Sequence, residues 1–401
     1  MSVDLADIQS AARRIAPAIY RSPNPYSLSL SRLCGCEIYC KLDHLQMTGS
    51  FKERGARNKL ELLGDTARRA GVVAASAGNH ALGLSYHGQL LGVPVTVVMP
   101  RWAPLVKVSN CRSFQAEVIL HGESLDEARL RAMQLAQERH LTFIHPFDDA
   151  DVIAGQGTIG LEILQDVPDV DAIIVPIGGG GLISGIATAV KATHRQVRVI
   201  GVEPAHAPTV HTSLQRGSPT RIVPRTTLAD GLAVAQVGSI CFPIIQKWVD
   251  EVILIDEARI AQAVLRLLEM EKMVLEGAGA ISLAAALNAR AMGLEGKKVV
   301  LVLCGGNIDM NVLGRIIERG LASDGRLCRI VTLLDDRPGF LAQLLGIIAR
   351  SGGSIKEVSH DRNFGPADIA KVAVACLIET RDAQHVAEIR SAISAAGLEV
   401  L

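Results

Sequence analysis

Short apolar strands alternate with amphipathic helices along the first 320 residues, and this alternation is the feature that most constrains the fold. The strand segments are GVVAASAG, VPVTVVMP, AEVILHG, LTFIHPF, AIIVPIGGGG, VRVIGVEP and KVVLVLCGG. Helical segments such as SLDEARLRAMQLAQERH separate them. Because the strands are apolar on both faces, they predict parallel sheets covered by helices on both sides. In such α/β proteins, ligands bind beyond the carboxyl ends of the strands.

The sequence changes character near its C-terminal end. A polar, glycine-containing linker is predicted at 321–326, and residues 327–401 then follow the order strand, helix, strand, strand, helix, strand. That order is typical of a ferredoxin-like βαββαβ unit. The predicted domains are therefore a main domain at 1–320, with a smaller lobe at roughly 50–150, and a small C-terminal domain at 327–401.

Composition excludes several classes of function. Apolar residues make up 49% of the 401 residues, aromatic residues only 3%, and 41 basic side chains balance 41 acidic ones. Such a chain has neither the charge nor the stacking surface that nucleic acids or anionic membranes require. The first residues lack the apolar stretch of a signal peptide, and no apolar run is long enough to span a bilayer. The eight scattered cysteines include Cys34, Cys36 and Cys40, whose spacing fits no zinc or redox motif, so we expect buried thiols and a cytoplasmic protein.

Four consecutive glycines follow one of the predicted strands. In VPIGGGGLISG, Val175 to Gly185, a strand ends, the glycines follow and a helix begins. Backbone N–H groups of such a loop converge on an anion, and the helix N-terminus adds its positive end, which predicts a phosphate site. The alternative is a tight turn in which the glycines have no ligand. The spacing fails the G-x-G-x-x-G dinucleotide motif and the P-loop motif is absent, so a single phosphate fits best.

One lysine lies in an unusual setting, the segment TGSFKERGA from Thr48 to Ala56. Lys52 is either a surface charge that opens a helix or a reactive amine. A phosphate and a reactive lysine together indicate pyridoxal phosphate, whose aldehyde forms a Schiff base with an amine. Two other loops at strand ends match this cofactor: SAGNHA suits a carboxylate and a phenolic oxygen, and LCGGN presents Cys304 to the ring. Each alone is also explained as a helix cap or a turn.

These motifs resemble those of the fold-type II pyridoxal-phosphate enzymes, which share the tryptophan synthase β-like fold, and most closely those of the threonine dehydratases (threonine ammonia-lyases). The resemblance covers residues 20 to 320. It rests on TGSFKERGA, GVVAASAGNHALG, FIHPFDDADVIAGQGTIGLEIL, VPIGGGGLISGIA, GVEPAHAPT, LADGLAV, LEGAGA and LCGGNID. It implies a two-lobed catalytic domain and pyridoxal 5'-phosphate as the cofactor.

The resemblance also implies residue roles. Lys52 would carry the cofactor and Asn79 would donate to its phenolic oxygen, while Phe51 would pack near the ring. The substrate carboxylate would meet a loop lined by Ser76, Gly78 and His80. The phosphate would be held by backbone N–H groups of Gly178, Gly179, Gly180, Gly181 and Leu182.

Cys304 departs from the family pattern, because many relatives have serine facing the pyridine nitrogen. Neither a serine nor a neutral thiol protonates that nitrogen, which favours rapid β-elimination. Relatives that resemble serine racemase bind a divalent cation near the GVEP strand with two carboxylates. Here Glu203 is present, but Thr209 occupies the second position, so we expect no metal. Glu276 and Asp230 have weaker cases for roles near the cofactor.

The C-terminal unit resembles an ACT domain through the segment DDRPGFLAQLL. The resemblance implies an amino-acid effector, such as isoleucine or valine, at Asp335, Arg337, Pro338 and Gly339. The alternative is a purely structural dimerisation module. Many isoleucine-pathway enzymes carry two such units, so a single one leaves strict isoleucine feedback in doubt. A homodimer or homotetramer is expected.

The expected activity is α,β-elimination of L-threonine to 2-oxobutyrate and ammonia, and of L-serine to pyruvate. A serine or 3-hydroxyaspartate dehydratase, or a racemase, would use the same catalytic residues. A non-catalytic, amino-acid-responsive regulator is the alternative from another class, and the intact Lys52 argues against it.

Overall fold

The chain consists of two compact units. A computed structural model describes residues 3–362 and 370–401, and the chain divides into Met1–Asp309 and Met310–Leu401. The predicted linker at 321–326 lies inside the second unit, because a helix runs from Met310 to Ser323 before the first strand of that unit.

The first unit contains two β-sheets. In chain order the strands that the structure describes there are β1 (Tyr26–Ser27), β2 (Glu37–Lys41), β3 (Val72–Ala75), β4 (Val95–Met99), β5 (Glu117–Leu120), β6 (Thr142–Phe143), β7 (Ala172–Pro176), β8 (Arg198–Pro204), β9 (Glu251–Ile255) and β10 (Lys298–Val302). One sheet has the order β1-β2-β10-β7-β8-β9 and the other β5-β4-β3-β6. Only the β1–β2 pairing among these is antiparallel. This arrangement confirms the predicted parallel α/β class.

Helices cover the faces of both sheets. They are α1 (Leu5–Ile15), α2 (Leu28–Cys34), α3 (Lys52–Glu61), α4 (Asp65–Ala70), α5 (Asn79–Leu91), α6 (Leu105–Ser113), α7 (Leu125–Glu138), α8 (Ala150–Asp166), α9 (Gly181–Thr193), α10 (Thr209–Arg216), α11 (Cys241–Trp248), α12 (Glu257–Glu271) and α13 (Gly277–Ala286). Short 3-10 helices span Asp43–Leu45 and Asp230–Leu232. All residues of β4 and β7 are buried, as expected for strands covered on both faces.

The smaller sheet is formed by the part of the chain between β2 and β7 of the larger sheet, two strands that are separated there by β10. β2 and β10 lie side by side in parallel, with Lys41 opposite Val302 at their carboxyl ends. The chain leaves this sheet after β2, builds β3 to β6, and returns through β7. The segments that follow β2 and β10 are therefore neighbours, and Ser50 forms an isolated antiparallel bridge with Gly305.

The second unit begins with α14 (Met310–Ser323) and continues as a βαββαβ unit. Its elements are β11 (Leu327–Asp335), α15 (Phe340–Arg350), β12 (Ser354–Asp361), β13 (Lys371–Glu379), α16 (Ala383–Ala395) and β14 (Glu399–Val400). The strands pair antiparallel in the order β12-β13-β11-β14. Its core lies between this sheet and the helices, and includes Ile330, Leu344, Ile348, Val374 and Ile389.

None of the helices in residues 3–362 and 370–401 combines the length and the apolar character that crossing a membrane requires.

Candidate active site

Three loops that follow strands of the first unit are joined by direct hydrogen bonds. The lysine loop, residues 48–52, leads into α3, and its Phe51 N–H donates to the carbonyl oxygen of Cys304 at 3.0 Å. The CGGN loop, residues 304–307, follows β10. The asparagine loop, residues 76–79, follows β3, and the Nδ2 of Asn307 donates to the Oδ1 of Asn79 at 2.8 Å. The insertion of the smaller sheet thus brings residues far apart in sequence to one place.

Lys52 begins α3 and is only partly exposed. Its Nζ donates a hydrogen bond of 2.7 Å to the carbonyl oxygen of Pro146 and lies 5.1 Å from the centre of the Phe51 ring. In the part of the chain that the structure describes, no carboxylate forms an ion pair with it. Burial lowers the pKa of Lys52 from 10.5 to about 8, against smaller opposing effects of Cys304, Cys241 and Glu276. Lys52 is therefore a largely buried amine of lowered pKa and not an ordinary surface charge.

The two residues after Lys52 anchor its helix through buried charges. Arg54 binds Asp43 through Nε at 2.8 Å and Nη2 at 2.9 Å, and binds Glu162 through Nη1 at 2.6 Å. Burial alone would raise the pKa of Asp43, but the adjacent Arg54 outweighs it and lowers that pKa. Glu53 accepts from the N–H of Thr48 and lies 3.3 Å from the Nε2 of His87. These contacts hold the start of α3, and Lys52 with it, in one position.

The glycine loop, residues 178–181, ends β7 and opens α9. Among the described residues, none accepts a hydrogen bond from the N–H groups of Gly178, Gly179, Gly180, Gly181 or Leu182. Gly180 has a φ of +99°, and a Cβ there would come within 2.8 Å of Ile245 and 2.9 Å of Cys241. These unpartnered donors, all but that of Gly178 on buried residues, lie at the positive end of a helix and are suited to a phosphate group.

The loop between β6 and α8, residues 144–149 and here called the HPF loop, connects the glycine loop to Lys52. Pro146 accepts from Lys52, and the ring of the next residue, Phe147, lies against Gly179. Asp148 accepts from the N–H groups of Ser239 and Ile240, each at 2.8 Å, and so holds the segment before α11 beside this loop. The amine and the unpartnered N–H groups therefore lie on either side of residues 146 and 147.

The asparagine loop begins the helix α5. Ser76 accepts from the N–H of Gly78 at 3.2 Å. The Nδ2 of Asn79 donates to the Oε1 of Glu276 at 2.7 Å, and burial raises the pKa of Glu276 to about 7. The Nε2 of His80 lies 3.3 Å from the carbonyl oxygen of Ile144, so His80 connects this loop to the HPF loop. Burial, with a smaller effect of Lys52, lowers the pKa of His80 to about 3, which keeps its ring neutral.

Several buried hydroxyl and ring atoms at this site lack a partner among the described residues. They are Thr48 Oγ1, Ser50 Oγ and His80 Nδ1. Together with the unpartnered N–H groups of the glycine loop and the weakly basic amine of Lys52, they fit a small phosphorylated aldehyde and a polar substrate beside it.

Comparison with known proteins agrees with this chemistry. Residues 15–305 match the model of the family described as pyridoxal-phosphate-dependent enzymes. This chain belongs to that family.

The relatives of this pyridoxal-phosphate-dependent enzyme include proteins with different named activities. It is 46% identical to an L-threonine ammonia-lyase of Thermotoga maritima over 398 residues, and this match covers 99% of each chain. Among solved structures, the processed threonine deaminase isoform 2 of Solanum lycopersicum has a TM-score of 0.76 and 34% identity, over 79% of this chain and 90% of that one. The serine racemase of Dictyostelium discoideum has a TM-score of 0.73 and 38% identity, over 77% of this chain and 100% of the racemase. The cofactor is pyridoxal 5'-phosphate, and the fold is that of the fold-type II enzymes.

Cys304 lies at the carboxyl end of β10 and is buried. Its Sγ donates to the carbonyl oxygen of Ala278 at 3.6 Å. Burial raises the pKa of the thiol, with a further contribution from Glu276. In this pyridoxal-phosphate-dependent enzyme Cys304 is therefore a neutral thiol.

Two acidic residues considered from the sequence have other partners. Glu203 is fully buried and accepts from the N–H groups of Val210 at 2.7 Å and His211 at 2.8 Å, so it caps α10. Burial raises its pKa to about 7. Asp230 is largely exposed and lies 3.6 Å from the Nζ of Lys107.

Sequence reasoning missed three residues of the site: Pro146, Phe147 and Asn307. The first two follow β6, so the rule that ligands bind beyond strand ends pointed to them. Asn307 is the last residue of the CGGN motif, and the sequence offered no reason to separate it from the turn.

In the second unit, the segment from Asp335 to Gly339 is an exposed turn between β11 and α15. The N–H of Arg337 donates to the carbonyl oxygen of Asp335 at 2.8 Å. Pro338 follows, and Gly339 precedes α15 with a φ of +103°. Asp336 forms an ion pair with Arg362 at 2.9 Å. The residues predicted to bind an effector thus lie together, at a strand–helix junction like that of the glycine loop.

Proposed function

We propose that this enzyme catalyses the dehydration and deamination of L-threonine to 2-oxobutyrate and ammonia, and acts more slowly on L-serine to give pyruvate. The observation that carries the proposal is the pairing of Lys52, an amine of lowered pKa, with the unpartnered N–H groups of the glycine loop. The full-length similarity to an L-threonine ammonia-lyase supports threonine as the substrate.

In this proposal the glycine loop binds the phosphate of the cofactor, and Lys52 is the residue that takes part in proton transfer. Backbone N–H groups of Gly178 to Leu182 hold the phosphate, and the positive end of α9 favours its charge. When bound, pyridoxal phosphate withdraws electrons from the α-carbon of the amino acid and so weakens the α-C–H bond. Lys52 would hold the cofactor through Nζ and, with the substrate bound, the same Nζ would accept the α-proton. With a pKa of about 8, about a tenth of this amine is neutral at pH 7, far more than for a lysine with the ordinary pKa of 10.5.

The other side chains orient the reacting groups. Asn79 would donate to the phenolic oxygen of the cofactor, and Cys304 would face the pyridine nitrogen as a neutral thiol. The loop of Ser76, Gly78 and His80 meets the substrate carboxylate. In the overall balance the α-proton and the β-hydroxyl are lost together as one water, and the enamine that remains reacts with water to give the 2-oxo acid and ammonia.

A second candidate reaction uses the same residues. The similarity to a serine racemase favours serine or 3-hydroxyaspartate dehydration, or racemisation, as the alternative. A non-catalytic regulator is disfavoured because such a protein has no need to keep the pKa of a buried lysine low.

The test is the release of 2-oxo acid by the purified, cofactor-loaded protein with L-threonine, L-serine and 3-hydroxyaspartate in parallel, and the formation of D-amino acid from L-serine. We expect the highest kcat/KM with L-threonine. If another substrate is faster, or if D-serine accumulates, the substrate assignment is wrong although the site is right. If no substrate reacts and borohydride still fixes the cofactor on Lys52, the reaction class is wrong.

The second unit is, in this proposal, an ACT domain that binds an amino acid such as isoleucine or valine at Asp335, Arg337, Pro338 and Gly339. The exposed turn and the strand–helix junction support this site. We further propose a homodimer or homotetramer in the cytoplasm, where the eight free cysteines remain reduced. Equilibrium dialysis with each amino acid, and the molar mass in solution, test these points.

A further inference from the structure

A continuous series of amide and carboxylate contacts connects three parts of the site. The Nδ2 of Asn307 donates to the carbonyl oxygen of Thr48 at 2.7 Å and to the Oδ1 of Asn79 at 2.8 Å. The Nδ2 of Asn79 donates in turn to the Oε1 of Glu276 at 2.7 Å. We call this series the amide chain. It begins in the lysine loop, passes through the CGGN loop and ends at the N-terminus of α13.

The chemistry of the first contact fixes the direction of the whole amide chain. A backbone carbonyl can only accept, so the group of Asn307 that faces Thr48 must be its NH₂. That NH₂ has two hydrogens, and both are used, one for Thr48 and one for Asn79. Asn79 must therefore present its oxygen to Asn307 and its NH₂ to Glu276. The side-chain amide of Asn79, which could otherwise rotate by half a turn, has one orientation.

The surrounding backbone is shaped to let Asn307 approach. Gly49 lies beside it in the lysine loop, and a Cβ at that position would come within 2.6 Å of the Oδ1 of Asn307. A larger residue would displace Asn307 from Thr48. The close approach is thus built into the loop that carries Lys52.

One hydrogen of Asn79 remains available after the bond to Glu276, because the NH₂ group has two. We infer that Asn307 is a positioning residue that fixes the amide of Asn79, so that this remaining hydrogen points to the phenolic oxygen of the cofactor. The inference rests on the role proposed for Asn79. A rotated Asn79 would present an oxygen to the phenolic oxygen instead, and a donor to a charged group would be replaced by a repulsive contact.

The variant Asn307→Asp tests this inference in the cofactor-loaded enzyme. The aspartate has nearly the same shape, but its carboxylate only accepts, and it would attract the NH₂ of Asn79. We expect kcat/KM to fall about 100-fold, as for the loss of one preorganised donor. The visible absorption of the lysine-bound cofactor should also change, because the protonation of its phenolic oxygen changes. Borohydride should still fix the cofactor on Lys52. Asn288→Asp places a carboxylate at an exposed position and serves as the matched control.

A double-mutant cycle separates positioning from general structural damage. If Asn307 acts through Asn79, the variant Asn79→Ala/Asn307→Asp should resemble Asn79→Ala in both absorption and kcat/KM. Losses that multiply would overturn the inference. An Asn307→Asp enzyme with the absorption and kcat/KM of the unmodified protein would overturn it as well.

The role proposed for Asn79 is tested independently of that of Asn307. It is wrong if Asn79→Ala alone leaves the absorption and kcat/KM unchanged. Should Asn307→Asp not fold, Asn307→Ser completes the same cycle. Its single hydroxyl hydrogen cannot serve both Thr48 and Asn79, and we expect a loss of about tenfold, the equivalent of one ordinary hydrogen bond.

Discussion

The chain places glycine at the junction of a strand and a helix in both of its units, and the two junctions differ in their surroundings. The glycine loop at 178–181 is buried beside the HPF loop, and other strand-end loops supply an amine and an amide nearby. The turn from Asp335 to Gly339 is exposed along its whole length. A strand–glycine–helix junction provides N–H donors for an anion, and the neighbouring loops decide whether these donors are enclosed or exposed at the surface.

The largest expected effect comes from removing the amine that distinguishes the first junction. Lys52→Ala should lower turnover about 10³-fold or more, because both the covalent attachment and the proton acceptor are lost. The measurement is 2-oxo acid release, with circular dichroism to show that the fold is intact. Lys297→Ala, an exposed lysine, is the control and should keep full turnover. Retained turnover in Lys52→Ala would contradict the mechanism.

The glycine loop is expected to show the next largest effect. Gly180→Ala puts a Cβ at a φ of +99° and close to Ile245 and Cys241. Backbone strain of about 1–3 kcal/mol is the minimum cost, so the dissociation constant of the cofactor should rise by about 100-fold. Titration of the apoprotein, followed by absorption, measures it. An unchanged dissociation constant would show that the phosphate is bound elsewhere.

The pH dependence of cofactor capture tests the environment of Lys52. Only the neutral amine attacks an aldehyde, and burial favours the neutral form by lowering the pKa from 10.5 to about 8. The rate at which the apoprotein forms the lysine-bound cofactor should therefore rise with pH and level off above about pH 8. Stopped-flow absorption records this rate. A midpoint near 10.5 would mean that Lys52 is solvated like a surface lysine.

The smallest effect is expected at the exposed junction. Gly339→Ala creates the same kind of strain, with a φ of +103°, but no atom lies within 4 Å of the added Cβ. We expect the cofactor dissociation constant to stay within about twofold of the unmodified value, while the dissociation constant of the effector proposed for this turn rises about tenfold, since the strain acts on the local loop. Isothermal titration with isoleucine and valine measures the second quantity. A change in cofactor binding and none in effector binding would reverse the proposed division of roles.

The sequence predicted those parts of the fold and site that follow from local patterns. Parallel strands, the strand-end position of the four loops, and the C-terminal βαββαβ order all come from residues that are near one another in the chain. The strands Glu37–Lys41 and Glu251–Ile255 were missed. The first pairs with β10, about 260 residues later in the sequence. No local sequence pattern shows that two strands so far apart in the chain pair with each other, or that a second sheet is formed by residues between them.

The burial of polar residues was the other feature that could not be predicted from the sequence. Glu53 and Arg54 follow Lys52 in a segment, KERGARNK, that resembles the solvated face of a helix, and both are fully buried. Their partners, Asp43, Glu162 and His87, lie on three other elements. The role of Asn307 could not be predicted for the same reason, because it depends on contacts with Thr48 and Asn79. Residues that hold a site together through long-range polar contacts become visible only when the fold is known.

The backbone composition of the glycine loop has a consequence for which substitutions this enzyme tolerates during evolution. Because the donors proposed for the phosphate are backbone N–H groups, a change of a neighbouring side chain would leave them in place, whereas a change of the glycines themselves would not. Side chains proposed to meet only the substrate, such as Ser76, would then be free to vary while the phosphate remains bound. A phosphate site made of backbone groups would therefore separate the retention of the phosphate from the choice of substrate, so that the substrate could change over evolution while the phosphate site stays the same.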